Sequence, residues 1–471
     1  MNVSGYRVEK DFLGEKQVPR DRYYGVQTER ARENFPITGQ SMSICLFRAL
    51  GVVKKAAALA NMETGYLDTR IGGAIVAAAE EVASGQLDSE FVVDAIQGGA
   101  GTSINMNVNE VIANRALEIL GKEKGDYKSV HPNNHVNMSQ STNDAVPTAA
   151  RIALLACIEE LAISYQGLHR AFRTKAEEFN GVIKMGRTHL QDAVPIRLGQ
   201  EFSAYADVVA RDLDRIGESK KVLYELNMGA TAVGTGMNAD PEYIDRVVQH
   251  IRKITGHPVR SARNLVDATQ NTDAYLVVSA TLRNAAVSLC KIANDIRLMA
   301  SGPASGLGEI SLPPVQPGSS IMPGKVNPVM AEAVNQVAFQ IIGNDTTIVH
   351  AAAAGQLELN VMVPVLLTNL FASIKILNNV VRLFTEKCVA GITANEKRCR
   401  ELMEKSSGII TAICPHVGYE MACKLAREAL RSGKPVLGLL LEKQLFSKKE
   451  LENMLDPFVI TTPGIHGAKI S

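Results

Sequence analysis

Apolar residues along this chain recur at helical steps over long, uninterrupted stretches. Between Thr269 and Ser301 there is neither Gly nor Pro, and Tyr275, Val278, Leu282, Ala285, Leu289, Ile292 and Ile296 follow at intervals of three and four residues. A helix over that stretch spans roughly 50 Å at about 1.5 Å per residue. A second stretch begins near Pro147 and runs to about Phe179, with Ile152, Leu155, Ile158, Leu161, Tyr165, Leu168 and Phe172 on one face. Others occupy about Phe202 to Leu226, the run after Asn327-Pro328 to about Ile342, and Pro364 to about Val389. No strand-type alternation separates them. Long helices in this number predict an all-α, mainly helical fold built on a bundle. Val277, Val278 and Val287 put apolar side chains on more than one face of a single helix. One bundle per chain would leave some of them in water, so packing against other subunits is expected.

Around this core the pattern changes. Residues 1–140 alternate shorter helical stretches with Gly/Asn-rich loops and read as an N-terminal domain, 141–395 as the central long-helix domain, and 396–471 as a small charged helical module. The segment from Asp456 to Ser471, with Pro457, Pro463, Gly464 and Gly467, reads as a partly mobile tail. No repeat or low-complexity tract is evident.

Charge and cysteine content narrow the class of partner. Fifty Lys and Arg against 49 Asp and Glu in 471 residues leave a net charge of +1, which gives no basis for binding nucleic acid or an anionic membrane. A small-molecule partner fits better. The seven cysteines show no CxxC or Cys/His ligand spacing, and their odd number argues against a closed disulfide framework. They read as reduced thiols of a cytoplasmic protein. Met1 to Arg20 has mixed charges and no apolar stretch of the signal-peptide kind. Charges are read as interrupting each later apolar run before the roughly 18 to 20 residues of a bilayer crossing.

Chemistry concentrates in four polar loops at helix boundaries. Gly318-Ser319-Ser320-Ile321-Met322-Pro323-Gly324-Lys325-Val326-Asn327-Pro328 places two hydroxyls, a cation and a carboxamide on one turn-rich loop, with Asn327-Pro328 as an expected helix N-cap. Such a loop can surround a small dianion, and the free N–H groups of the helix end attract carboxylate. Gly98 to Glu110 carries glycines before Thr102, Ser103 and Asn105, without the spacing of a nucleotide-phosphate loop. In His135 to Asp144, either Asn143 or Asp144 is expected to cap the Pro147 helix, leaving Ser141 and Thr142 free for a ligand. In Met185 to Pro195, His189 beside Thr188 could exchange a proton or hydrogen bond with an amine or water. Each loop alone is also ordinary turn chemistry. Four together suggest a split active site.

The Gly318 to Pro328 run resembles the signature of the aspartase/fumarase superfamily, and the other loops resemble its remaining substrate-binding regions, over nearly the whole chain. The resemblance implies a three-domain fold whose long helices join a homotetramer core, with each active site completed by loops of three subunits. It implies elimination from a succinyl compound to give fumarate through an aci-carboxylate, with no cofactor and no metal required. By the same resemblance Ser319 is the general base, and Thr102, Ser141, Thr142 and Ser320 hold the reacting β-carboxylate. Lys325 and Asn327, helped by Met322, grip the α-carboxylate. Asn143, Thr188 and His189 surround the leaving group. The versions in Asn137 to Asp144, Asn227 to Gly236 and Lys325 to Val329 resemble those of members that deaminate L-aspartate more than those of the fumarate hydratases, which are the alternative. Ala353 and Val363 stand where that branch is expected to carry glutamates, and Ala331 where it carries proline.

Overall fold

A computed structural model describes residues 5–464; the first residues and the part of the expected tail from 465 onward lie outside the described residues. A hairpin of β1 (Tyr6–Asp11) and β2 (Gly14–Pro19), antiparallel with Tyr6 opposite Pro19, precedes helices α1 (Val26–Asn34), α2 (Ile44–Glu63), α3 (Thr69–Ala83) and α4 (Thr102–Ile119). The 37-residue α5 (Thr142–Glu178) leads to a second antiparallel hairpin, β3 (Ile183–Thr188) and β4 (Gln191–Arg197). Then come α6 (Leu198–Ser219), α7 (Pro241–Thr255), α8 (Leu265–Gln270), α9 (Asp273–Met299), α10 (Val329–Ala353) and α11 (Val363–Lys387). Shorter helices follow: α12 (Glu396–Lys405), α13 (Ile410–Val417), α14 (Tyr419–Ser432), α15 (Val436–Glu442), α16 (Lys448–Met454) and α17 (Pro457–Ile460). The remaining sheets among the described residues are two-residue pairings, so the fold is mainly helical as expected.

The expected stripe of α9, from Tyr275 to Ile296, is buried to 1% exposure or less at every named position, whereas Val277 and Val287 on the same helix are 43% and 50% exposed. Boundaries shifted where side chains intervene. α5 starts at Thr142, before Pro147, because Ser141 is its cap: Ser141 Oγ accepts from the Asn143 N–H at 3.2 Å, and Asp144 Oδ1 accepts from the Ser141 N–H at 2.9 Å. Pro147 cannot donate to the Asn143 carbonyl, and the Asn227 carboxamide does so instead, at 2.9 Å. α10 runs to Ala353 instead of ending near Ile342. Asn327 does not cap it; its carboxamide donates to the Gly318 carbonyl at 2.8 Å and joins the two ends of the loop. Asp456 caps α17 through the Phe458 and Val459 N–H groups, so the start of the expected tail is helical.

The expectation that charges interrupt every long apolar run does not hold. Asp273–Met299 and Val363–Gly391, with mean hydropathy 1.3, are long and apolar enough to cross a membrane. Length and hydropathy do not separate a span from a long bundle helix, however. α9 pairs Arg283 with Asp345 of α10 at 2.8 Å, and its inner face is buried within the chain.

The chain divides into two compact units. One comprises residues up to 162, 215–284 and 339–377, and the other 163–214, 285–338 and 378 onward. In the first, Phe47 of α2 stacks on Phe91 at 4.5 Å, and Leu46, Leu50 and Val53 are fully buried with Ile75, Ala78 and Val82 of α3. In the second, Phe172, Phe179, Phe202, Tyr205 and Phe384 form an aromatic cluster. A separate core there joins Ile183 and Met185 of β3 to Met403, Ile409, Ile413 and Leu425 of the C-terminal helices.

Candidate active site

In the first unit a cavity of about 500 Å³ gathers Thr102, Ser141 and Thr142 with Gln140, Asn105 and Thr231. Thr102 and Thr142 are the first residues of α4 and α5, so the opening turns of two helices line one cavity. Their partial positive charge favours a carboxylate there. The turn into α4 takes the left-handed conformation at Gly101, φ 93°, and at Ala100, φ 56°. Thr102 Oγ1 donates to the Gly99 carbonyl at 2.7 Å, which leaves its lone pairs as acceptors. Asn143 sits one residue behind, its carboxamide donating to the Ala232 carbonyl at 2.8 Å.

Beneath this cavity lies a polar floor that the sequence reading did not assign. Lys54 of α2 is fully buried and donates to Asn137 Oδ1 and Gln140 Oε1, each at 2.9 Å. Asn137 Oδ1 also accepts from the carboxamides of Asn105 and Asn109, and Asn105 donates in turn to Thr142 Oγ1 at 3.2 Å. A chain of hydrogen bonds therefore runs from a buried ammonium to the hydroxyl of a candidate binding residue. Asp144, also fully buried, accepts from the backbone N–H groups of Gly229 and Thr231 through Oδ2 and so ties the 227–236 loop to the start of α5. Burial pushes Asp144 up to about 7, against the pull of its N–H donors and of Lys54. Burial likewise pushes Lys54 down to about 7, with Asp144 opposing. The only sequence signal for Lys54 was the pair Lys54-Lys55 amid the apolar residues of α2.

In the second unit Thr188 and His189 occupy the exposed tip of the β3–β4 hairpin, where His189 and Leu190 take φ of 54° and 63°. Two successive left-handed residues are the signature of a tight hairpin turn. The base of the hairpin is fixed by the fully buried Glu309, which pairs with Lys184 and Arg187 at 2.8 Å each. The loop from 318 to 328 lies in the same unit, with Ser320, Met322 and Lys325 exposed and Asn327 half-buried. It closes on itself: the Gly318 N–H donates to the Lys325 carbonyl at 2.7 Å. Ser319 Oγ accepts from the N–H groups of Ile321 and Met322, at 3.2 and 3.1 Å. No hydrogen bond joins the hairpin tip to this loop among the described residues. The candidate residues thus form three groups, one around the first unit's cavity and two on separate exposed elements of the second.

Residues 14–343 match the family described as Lyase, and residues 409–462 match the fumarase C C-terminus. The chain belongs to the aspartase/fumarase superfamily of lyases. Within it, the chain is 61% identical over 463 residues to an aspartate ammonia-lyase of a Bacillus species, covering 98% of this chain and 99% of that one. It is 49% identical over 459 residues to an aspartate ammonia-lyase of Helicobacter pylori, covering 97% and 98%. Among solved structures, a fumarate lyase:delta crystallin from Brucella melitensis, bound to cobalt, superposes with a TM-score of 0.94 at 49% identity, covering 97% of this chain and 100% of that one. The class II fumarase of Schistosoma mansoni gives 0.88 at 36%, covering 97% and 99%.

Proposed function

We propose that the chain catalyses the reversible deamination of L-aspartate to fumarate and ammonia. The observation that carries this reading is the 61% identity, over the full length of both chains, to an aspartate ammonia-lyase. The 36% identity to a class II fumarase supports the alternative, hydration of fumarate to malate, less strongly. The reading includes the three-part division at about 140 and 395, a cytoplasmic location, and a homotetramer whose active sites each draw loops from three subunits. Exposed apolar residues of α9 and α10, among them Val287 and Phe339 at 50% and 63%, are surface that such an assembly would cover.

Ser319 removes the proton next to the β-carboxylate, and the electrons released create an aci-carboxylate dianion. That charge must be met by donors already in place. Ser141, Thr142 and Ser320 supply hydroxyls for it, and Thr102 does so once its O–H turns from the Gly99 carbonyl to the substrate, with the two helix ends behind Thr102 and Thr142. Lys325, Asn327 and Met322 take the α-carboxylate, and Asn143, Thr188 and His189 the ammonium, for which neutral acceptors suffice. The N–H groups of Ile321 and Met322 on Ser319 Oγ favour its alkoxide form. The deciding experiment is to incubate the protein with fumarate in ammonium buffer and identify the product by proton NMR. Aspartate is expected; malate would replace this reading with the hydratase, and neither product would reject both.

A further inference from the structure

Arg151, on α5 one turn beyond Pro147, is 5% exposed, yet no carboxylate pairs with it among the described residues. Its Nε has no hydrogen-bond partner, and Nη1 reaches Asn227 Oδ1 only at 3.5 Å. The guanidinium lies 5.6 Å from the centre of the Tyr275 ring, which offers a weak attraction and no counter-charge. An isolated buried cation is strongly unfavourable, and arginine cannot escape by losing its proton. The same side chain lines a largely enclosed cavity of about 10 Å³, walled also by Asn143, Thr272, Asn360 and Val363. That is the space open to the centre of a water-sized sphere, so a single small particle fits and a ligand of several heavy atoms does not.

We propose that this cavity binds a small monovalent anion of the chloride class, held by Arg151. Water could accept from Nε but would leave the charge uncompensated. A dicarboxylate is far too large, so the cavity is not a second substrate site. Thr272, 7% exposed and without a side-chain hydrogen bond, brings a hydroxyl donor to the same wall. Val363 closes the wall with hydrocarbon, so the chain supplies no anionic group of its own at that point.

Crystals of the full-length protein soaked in sodium bromide should show an anomalous peak within hydrogen-bond distance of Arg151 Nε. Its absence overturns the proposal, as it would if a carboxylate of another copy filled the space. In solution, sodium chloride should raise the melting temperature saturably above that in sodium gluconate at equal ionic strength, because gluconate cannot enter. Arg151→Met should lose the difference, and so should Val363→Glu, which places a carboxylate on the wall. The same chloride response in Arg151→Met as in the parent overturns the proposal. Neither readout uses activity, so the outcome is independent of the deaminase reading.

Discussion

Ser319 is a weak base in water, and its surroundings indicate how a loop could make it a stronger one. Two N–H groups already point at Oγ from within the loop. Removing the hydroxyl deletes the proposed proton acceptor without disturbing the loop's other closures through Gly318, Lys325 and Asn327. Ser319→Ala is therefore expected to lower kcat by on the order of 10²–10⁴-fold, with light scattering showing the same assembly; near-normal turnover would remove Ser319 from the role. Lys54 makes a different prediction. Its folded pKa, about 7, lies below its unfolded value of 10.5, so the unfolded chain binds more protons between those limits. Its contribution is full above pH 10.5 and is lost as pH falls towards 7, so stability rises with pH across that window. Asp144, raised to about 7 from 3.8, acts in the opposite sense at lower pH, stabilising below 3.8 and losing that contribution as pH rises to 7. Lys54→Met should flatten the rise between pH 7 and 10.5 in urea titrations. It should also raise KM for fumarate by about tenfold, the equivalent of roughly one lost charge-assisted hydrogen bond, with a smaller change in kcat. An unchanged KM would mean that Lys54 supports only the fold.

Among the elements, the segment from Asn133 to Thr142 contributes most to the cavity lining, the loop from Asn227 to Gly236 adds the Thr231 and Ala232 wall, and Gly234 is that loop's tightest point. With φ of 92°, Gly234 lies against the backbone of Val266, where an added Cβ would collide with the Cα. Gly234→Ala should cost roughly 1–3 kcal/mol through backbone strain, visible as a lower urea midpoint, and should raise KM as the Thr231 and Ala232 wall moves. A variant with parental stability would show that the loop yields without cost. How legible the elements were depended on which side chains face inward. The stripes of α5 and α9 were readable because the residues at three- and four-residue steps along their buried faces are apolar throughout, from Ile152 to Phe172 and from Tyr275 to Ile296. The β1–β2 hairpin was not, because Arg7 and Glu9 face inward as a 2.7 Å ion pair while Tyr6 and Val8 face out. In β3 the buried Lys184 breaks the alternation in the same way. Pro147 misplaced the start of α5, since only the Asn227 carboxamide, 80 residues on, makes an interior proline tolerable. The four candidate loops stood out as polar clusters at helix ends. The floor under the first unit's cavity did not, because Lys54, Asn105 and Asn109 become a network only once α2 and α4 pack together.

For the whole molecule, the question is whether one copy completes its own site. The hairpin tip and the 318–328 loop are exposed elements of one unit, while Thr102, Ser141 and Thr142 line a cavity in the other. Exposed apolar side chains along the long helices, including Val277, Val287 and Phe339, would favour burial against further copies. If sites are shared, two differently damaged chains can repair each other. Ser319→Ala and Thr142→Val should each be nearly inactive alone. Co-expressed at equal levels, they should regain activity, because about one site in four in a randomly mixed symmetric assembly takes an intact Ser319 from one chain and an intact Thr142 from another. Mixing the two variants after each has assembled should restore nothing until the subunits are dissociated and allowed to exchange. Recovery on co-expression would establish that the Ser319 and the Thr142 of one site belong to different copies. Its absence, with mixed assemblies verified by mass spectrometry, would mean that each chain builds its own site.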